Sequence, residues 1–146
     1  MAIRSTRFSL LLLMPLLLVH NIAIGQSEKT FVKSFNLMGR QTVVLNLGDN
    51  IQISQWDNDI VRVQMTVSVF TTDATLKALA ESGRYSLKSE LSVQDLLVTV
   101  PSLSNVVKLN GTELKEAVSF TVLVPKNVTV LKNEDVKTKI VAKLNP

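Results

Sequence analysis

Five consecutive residues, Gln55, Trp56, Asp57, Asn58 and Asp59, put an indole, two amides and two carboxylates into one short stretch. An indole face open to solvent stacks on a sugar ring, and the neighbouring amides and carboxylates supply hydrogen bonds around it. The same oxygens suit a second chemistry: Asp57, Asn58 and Asp59, joined by Asp49, are ligands of the type Ca²⁺ prefers. Their spacing lacks the alternating ligands and distal Glu of a calcium-binding loop, so no metal is assigned. The competing account is a plain hairpin turn, because Asp and Asn are ordinary turn formers. Trp56, too, has a structural alternative, in which it covers a strand end or packs beneath a helix, as large aromatics are mostly buried.

Catalysis has little to draw on. The chain has no cysteine, and its one histidine, His20, lies in a segment expected to be removed. The usual nucleophile–base pairs and the imidazole and thiolate zinc sites therefore lack their groups. Carboxylates remain, but Asp57 and Asp59 share one turn, and Glu113 and Glu116 flank an Asn110-Gly111 hairpin and read as solvated surface. No catalytic residue and no cofactor is assigned, and a carboxylate-based enzyme is the weakest reading.

These groups must be positioned by whatever follows the leader. Arg4 and Arg7 precede an apolar run over residues 8–19, which is shorter than the roughly 20 residues a spanning helix needs. Ala23-Ile24-Gly25 then offers small residues at the −3 and −1 positions of a signal peptidase site. The pattern predicts a signal peptide over 1–25, cleavage after Gly25, and export to the periplasm, cell surface or medium with no transmembrane segment left. The 121 residues from Gln26 to Pro146 are enough for one domain. With Arg4 and Arg7 gone, 14 basic residues face 12 acidic ones, a balance that does not suit a nucleic-acid partner. Without disulfides the domain must rely on burial and strand pairing.

Period-two alternation dominates the mature chain. Val61, Val63, Met65, Val67 and Val69 share one face, opposed by Arg62, Gln64, Thr66 and Ser68. Val118, Phe120, Val122 and Val124 repeat the pattern, as do shorter runs at 43–47, 51–53, 96–100 and 128–130, with an opening strand at 31–37. Gly48-Asp49-Asn50 and Asp57-Asn58-Asp59 separate successive strands, so 43–47 and 51–56 are expected to pair. Asn110-Gly111 suits a type I′ turn. Asp73 can cap a short helix over 74–82, ended by Gly83, with the next strand beginning near Arg84. The chain is expected to be all-β, with about eight to ten short, mostly antiparallel strands in a sandwich or related two-layer packing, and one short helix.

Lys126, Lys132, Lys137, Lys139 and Lys143 enrich the C-terminal stretch, where Val136, Thr138, Ile140, Ala142 and Leu144 alternate as a strand. Lysines on an edge strand discourage intermolecular pairing, although the same face would suit an anionic surface. Asn110 and Asn127 head glycosylation sequons.

The order of features resembles the N-terminal part of a bacterial family of exported, adhesin-like β proteins of unknown function. The resemblance runs over about residues 30–131. It rests on Gln55-Trp56-Asp57-Asn58-Asp59 before the valine-alternating strand, on Leu97-Val98-Thr99-Val100, and on Phe120 to Lys126 with its Val124-Pro125-Lys126 ending. Members continue into a ladder of short glycine-rich strands, whereas here one more candidate strand leads to Pro146. The resemblance implies a binding or adhesin-like module of the cell envelope, whose partner is an envelope glycan or another envelope protein. The alternative is an assembly subunit that pairs through its C-terminal edge strand.

Overall fold

A computed structural model describes residues 25–132. The leader up to residue 24 and the candidate strand at 136–144, with Lys137, Lys139 and Lys143, lie outside the described residues.

Valine alternation makes β4 (Ile60–Thr71) the spine of the molecule. Val61, Val63, Met65, Val67 and Val69 are buried while their neighbours face outward, as the two-residue period of a strand requires. Antiparallel to β4 on either side lie β1 (Gly25–Asn36) and β9 (Glu116–Pro125), and β3 (Ile51–Trp56) follows β9 at the far edge. A second four-stranded sheet runs in the order β10 (Thr129–Lys132), β2 (Thr42–Asn46), β6 (Asp95–Thr99) and β5 (Lys88–Leu91). Val43 and Leu45 of β2 and Leu96 and Val98 of β6 join the inner face of β4 and β9 in one apolar core. Each such side chain, fully buried, contributes about 1.5–3 kcal/mol. A small hairpin, β7 (Lys108–Leu109) with β8 (Thr112–Glu113), turns on Asn110 and Gly111, both left-handed at φ 49° and 81° as a type I′ turn requires.

The all-β architecture with one helix is as expected, but the pairing departs from local rules in two places. Strands β2 and β3 do not pair: Gly48 (φ 85°) turns the chain from one sheet into the other. There β3 runs parallel to β9 and β2 runs parallel to β6 and β10, while β1–β4, β4–β9, β5–β6 and β7–β8 are antiparallel. Nor is Asp57-Asn58-Asp59 a hairpin turn, because β9 lies between β3 and β4.

The helix α1 (Asp73–Glu81) is capped by Thr72, whose Oγ1 accepts the Thr75 N–H at 3.2 Å; Asp73 sits in the first turn instead of at the cap. Leu76 buries against the core and Gly83 ends the helix at φ 84°. The next strand starts at Lys88, not Arg84, because residues 84–87 tuck Arg84, Tyr85 and Leu87 inward instead of pairing.

Strand β1 is an edge, and it places Lys29 and Lys33 on the same face as Phe31 and Phe35. Their ammonium groups sit 5.8 Å and 5.5 Å from the Phe31 and Phe35 ring centroids, and Lys33 Nζ donates to the Leu87 carbonyl at 2.8 Å. Inward-pointing charge of this kind guards an edge against pairing with another chain.

Candidate functional site

One end of the sandwich is built by three connections: residues 36–41 between β1 and β2, 56–59 between β3 and β4, and 125–128 between β9 and β10. Their convergence follows from the topology. With β9 between β3 and β4, the 57–59 connection must stride over the end of β9, where Pro125 pairs with Trp56. The chain leaving β9 crosses to the second sheet at the same place, where the Thr129 N–H donates to the Gln41 carbonyl at 2.8 Å. An open cleft of about 600 Å³ results, within the range of small-ligand sites.

Trp56, Asp57, Asn58 and Asp59 all line this cleft. Gln55 does not, because alternation points it to the opposite face of β3. Asp49 precedes β3 at that strand's other end and is not part of the cleft lining either. Among the described residues no group of three or more His, Cys, Asp or Glu is arranged to hold a metal ion.

Trp56 is half-buried, and its Nε1–H donates to the Ile60 carbonyl at 2.9 Å. That bond fastens the indole across the turn, so the ring covers the end of the strand and lines the cleft at once. Asp57 pairs with Lys126 across the two connections. Both are exposed, and a surface pair of this type adds at most about 1 kcal/mol. Arg40 is held by Nε donation to the Ser92 carbonyl at 2.8 Å and Nη1 donation to the Met38 carbonyl at 3.1 Å.

The residues of 36–41 and 125–128 were not assigned to the site from sequence, and Met38 is the most unusual of them. It adopts φ 51°, followed by Gly39 at φ 81°, and the Arg40 N–H closes the turn on the Leu37 carbonyl at 3.0 Å. This is a second type I′ turn with Met where Asn or Asp is favoured. The left-handed conformation is unfavourable for Met, and its side chain is 64% exposed, so burial returns little. Backbone strain of this kind gathers at binding sites. Met38→Asn is therefore expected to stabilise the fold by about 0.5–1 kcal/mol in urea titration while removing an apolar wall of the cleft. An unchanged or lower midpoint would mean that the Met38 side chain stabilises the folded chain.

A second polar cluster lies away from the cleft. Glu116, read from sequence as solvated surface, has a side chain only 8% exposed. It accepts from Arg84 Nε at 2.8 Å, from Arg84 Nη2 at 2.5 Å, and from the Tyr85 hydroxyl. Arg84 Nη1 also donates to the Ser102 and Asn105 carbonyls at 3.0 and 2.9 Å. Burial alone would raise the Glu116 carboxyl, but the Arg84 and Tyr85 hydrogen bonds and the guanidinium charge outweigh it and hold it below its ordinary value. Burial, then the bond to Glu116, keeps the Tyr85 hydroxyl protonated far above its usual range. Donating to the Glu116 carboxylate raises Arg84 above its ordinary value. These bonds tie residues 84–85, the segment from Ser102 to Asn105 and β9 together.

No protein-family model matches the chain, and no curated protein matches it. Among solved structures it is similar to "a putative cell adhesion protein" from Clostridium sporogenes, at 16% identity and a TM-score of 0.41, over 73% of this chain and 46% of that one. The chain thus spans less than half the length of that protein, and a likeness of this extent shows neither family nor activity.

Proposed function

We propose that the protein is an exported, non-catalytic binding module of the cell envelope, and that the cleft at 36–41, 56–59 and 125–128 takes a neutral saccharide. One observation carries the reading. The turn whose residue types suit sugar recognition lines the cleft, with Trp56 anchored by its ring nitrogen and Asp57, Asn58 and Asp59 around it. Met38 adds an apolar wall, and Gln41 and Asn127 add amides.

Cleavage after Gly25 rests on the leader pattern, and detection of residues 1–25 by mass spectrometry on the exported protein would refute it. Stacking with a few hydrogen bonds gives an affinity near millimolar, about −4 kcal/mol, so such a site works through many copies at a surface. On a glycan array, retention is expected to disappear in Trp56→Ala and to persist in Gln55→Ala, whose side chain does not line the cleft. Equal loss in both variants, or none in either, would count against the site.

A further inference from the structure

We propose that β3 is the seam of a symmetric dimer, in which a second copy of this chain pairs antiparallel with it about Ile53. This rests on observations independent of the cleft. Among the described residues, β1, β5, β10 and β3 are the edges of the two large sheets. Edge strands are normally defended by charge, by bulges or by inward lysines. The sequences of β1, β5 and β10 contain Lys or Glu, whereas Ile51-Gln52-Ile53-Ser54-Gln55-Trp56 contains no charged residue.

The backbone of β3 is set for pairing. The Phe120 N–H donates to the Asn50 carbonyl at 2.9 Å, which fixes the parallel ladder with Ile51 opposite Phe120. In that ladder the amides and carbonyls of Ile51, Ile53 and Gln55 point away from β9, toward the edge that no other described strand covers. The Ile51 N–H is turned back onto the Asp49 carbonyl at 3.0 Å, and the groups of Ile53 and Gln55 face outward.

The side chains select the occupant. Register with the buried Phe120, Val122 and Val124 puts Ile51, Ile53 and Gln55 on the inner face, yet Ile53 is 38% exposed. Antiparallel pairing on a two-fold axis at Ile53 sets Ile53 against its own copy, Ile51 against Gln55, and Gln52 against Ser54, each pair on one face. A shift of one residue would set inner side chains against outer ones. Self-pairing of a charged strand opposes like charges, and this strand has none. The two sheets then join into one continuous sheet, with the Trp56 ends of the two copies at opposite ends of the shared ribbon.

The test uses the absence of cysteine from the chain. Residues directly opposite in a hydrogen-bonded antiparallel pair have Cα atoms about 5.5 Å apart, within disulfide reach. In the full exported protein, Ile53→Cys is expected to give a disulfide-linked dimer on air oxidation. Gln52→Cys and Ser54→Cys, whose copies are offset along the ribbon, should not. By sedimentation, Ile53→Lys is expected to weaken self-association about tenfold or more, with the unfolding of the dilute monomer unchanged. Equal cross-linking at all three positions, or a dimer that Ile53→Lys leaves intact, would overturn the proposal. So would a wild-type monomer at every concentration, and protected β3 amides in such a monomer would assign the edge to another segment of the same chain.

Discussion

Met65→Asp is expected to leave the chain without a cooperative unfolding transition. Met65 is fully buried at the centre of β4, with Phe31 of β1 and Phe120 of β9 directly beside it. An aspartate there finds no hydrogen-bond partner on the inner face, so it must enter either as an unpaired charge or as a protonated acid. Either form costs several kcal/mol, and the lost methionine contacts add about 2–5 kcal/mol more. A domain of this size holds only about 5–15 kcal/mol in total. Met65→Leu, which conserves volume, should cost less than about 1.5 kcal/mol. Far-UV circular dichroism and urea titration of the two variants separate charge from shape. A stably folded Met65→Asp protein would show that this face of β4 is not the core.

The second large effect is expected at Glu116. Replacing it with Gln leaves the Arg84 guanidinium, itself buried, without its counter-charge. Removing one partner of a buried pair costs about 3–5 kcal/mol, whereas replacing both by apolar residues costs much less. Glu116→Gln should therefore destabilise strongly, and Arg84→Met with Glu116→Leu should fall well short of the sum of the single changes. The pH dependence has a definite sign. Because folding lowers the Glu116 pKa, its contribution is complete above the ordinary carboxylate value of about 4.3 and fades as pH falls through the lower folded value. Wild-type stability should drop below about pH 4, and the Glu116→Gln variant should drop less there. Equal acid sensitivity in both proteins would contradict the role given to the pair.

What the sequence reveals follows from the range of the interactions involved. The alternation of β4 identifies its buried face because a strand's period is local, and Asn110-Gly111 identifies its turn for the same reason. Met38-Gly39 forms the same kind of turn, but methionine gives no turn signal, so a wall of the cleft was invisible. Glu116 looks solvated beside its neighbours because its partners, Arg84 and Tyr85, lie more than thirty residues upstream. The 57–59 segment reads as a hairpin because chain neighbours usually pair, and nothing local announces that β9 inserts between β3 and β4. That insertion brings the three connections together. The grouping of Trp56, Asp57, Asn58 and Asp59 was legible, and the cavity they line was not.

The most direct test of the cleft is the emission of Trp56, the sole tryptophan in the chain, during titration with oligosaccharides. A half-buried indole at the cleft wall should shift or quench as sugar fills the site, with saturation in the millimolar range, about −4 kcal/mol. Met38→Asn should weaken that response while raising the urea midpoint. Emission typical of a fully buried indole, unmoved by any saccharide, would contradict the account and leave the 55–59 turn with a structural role alone.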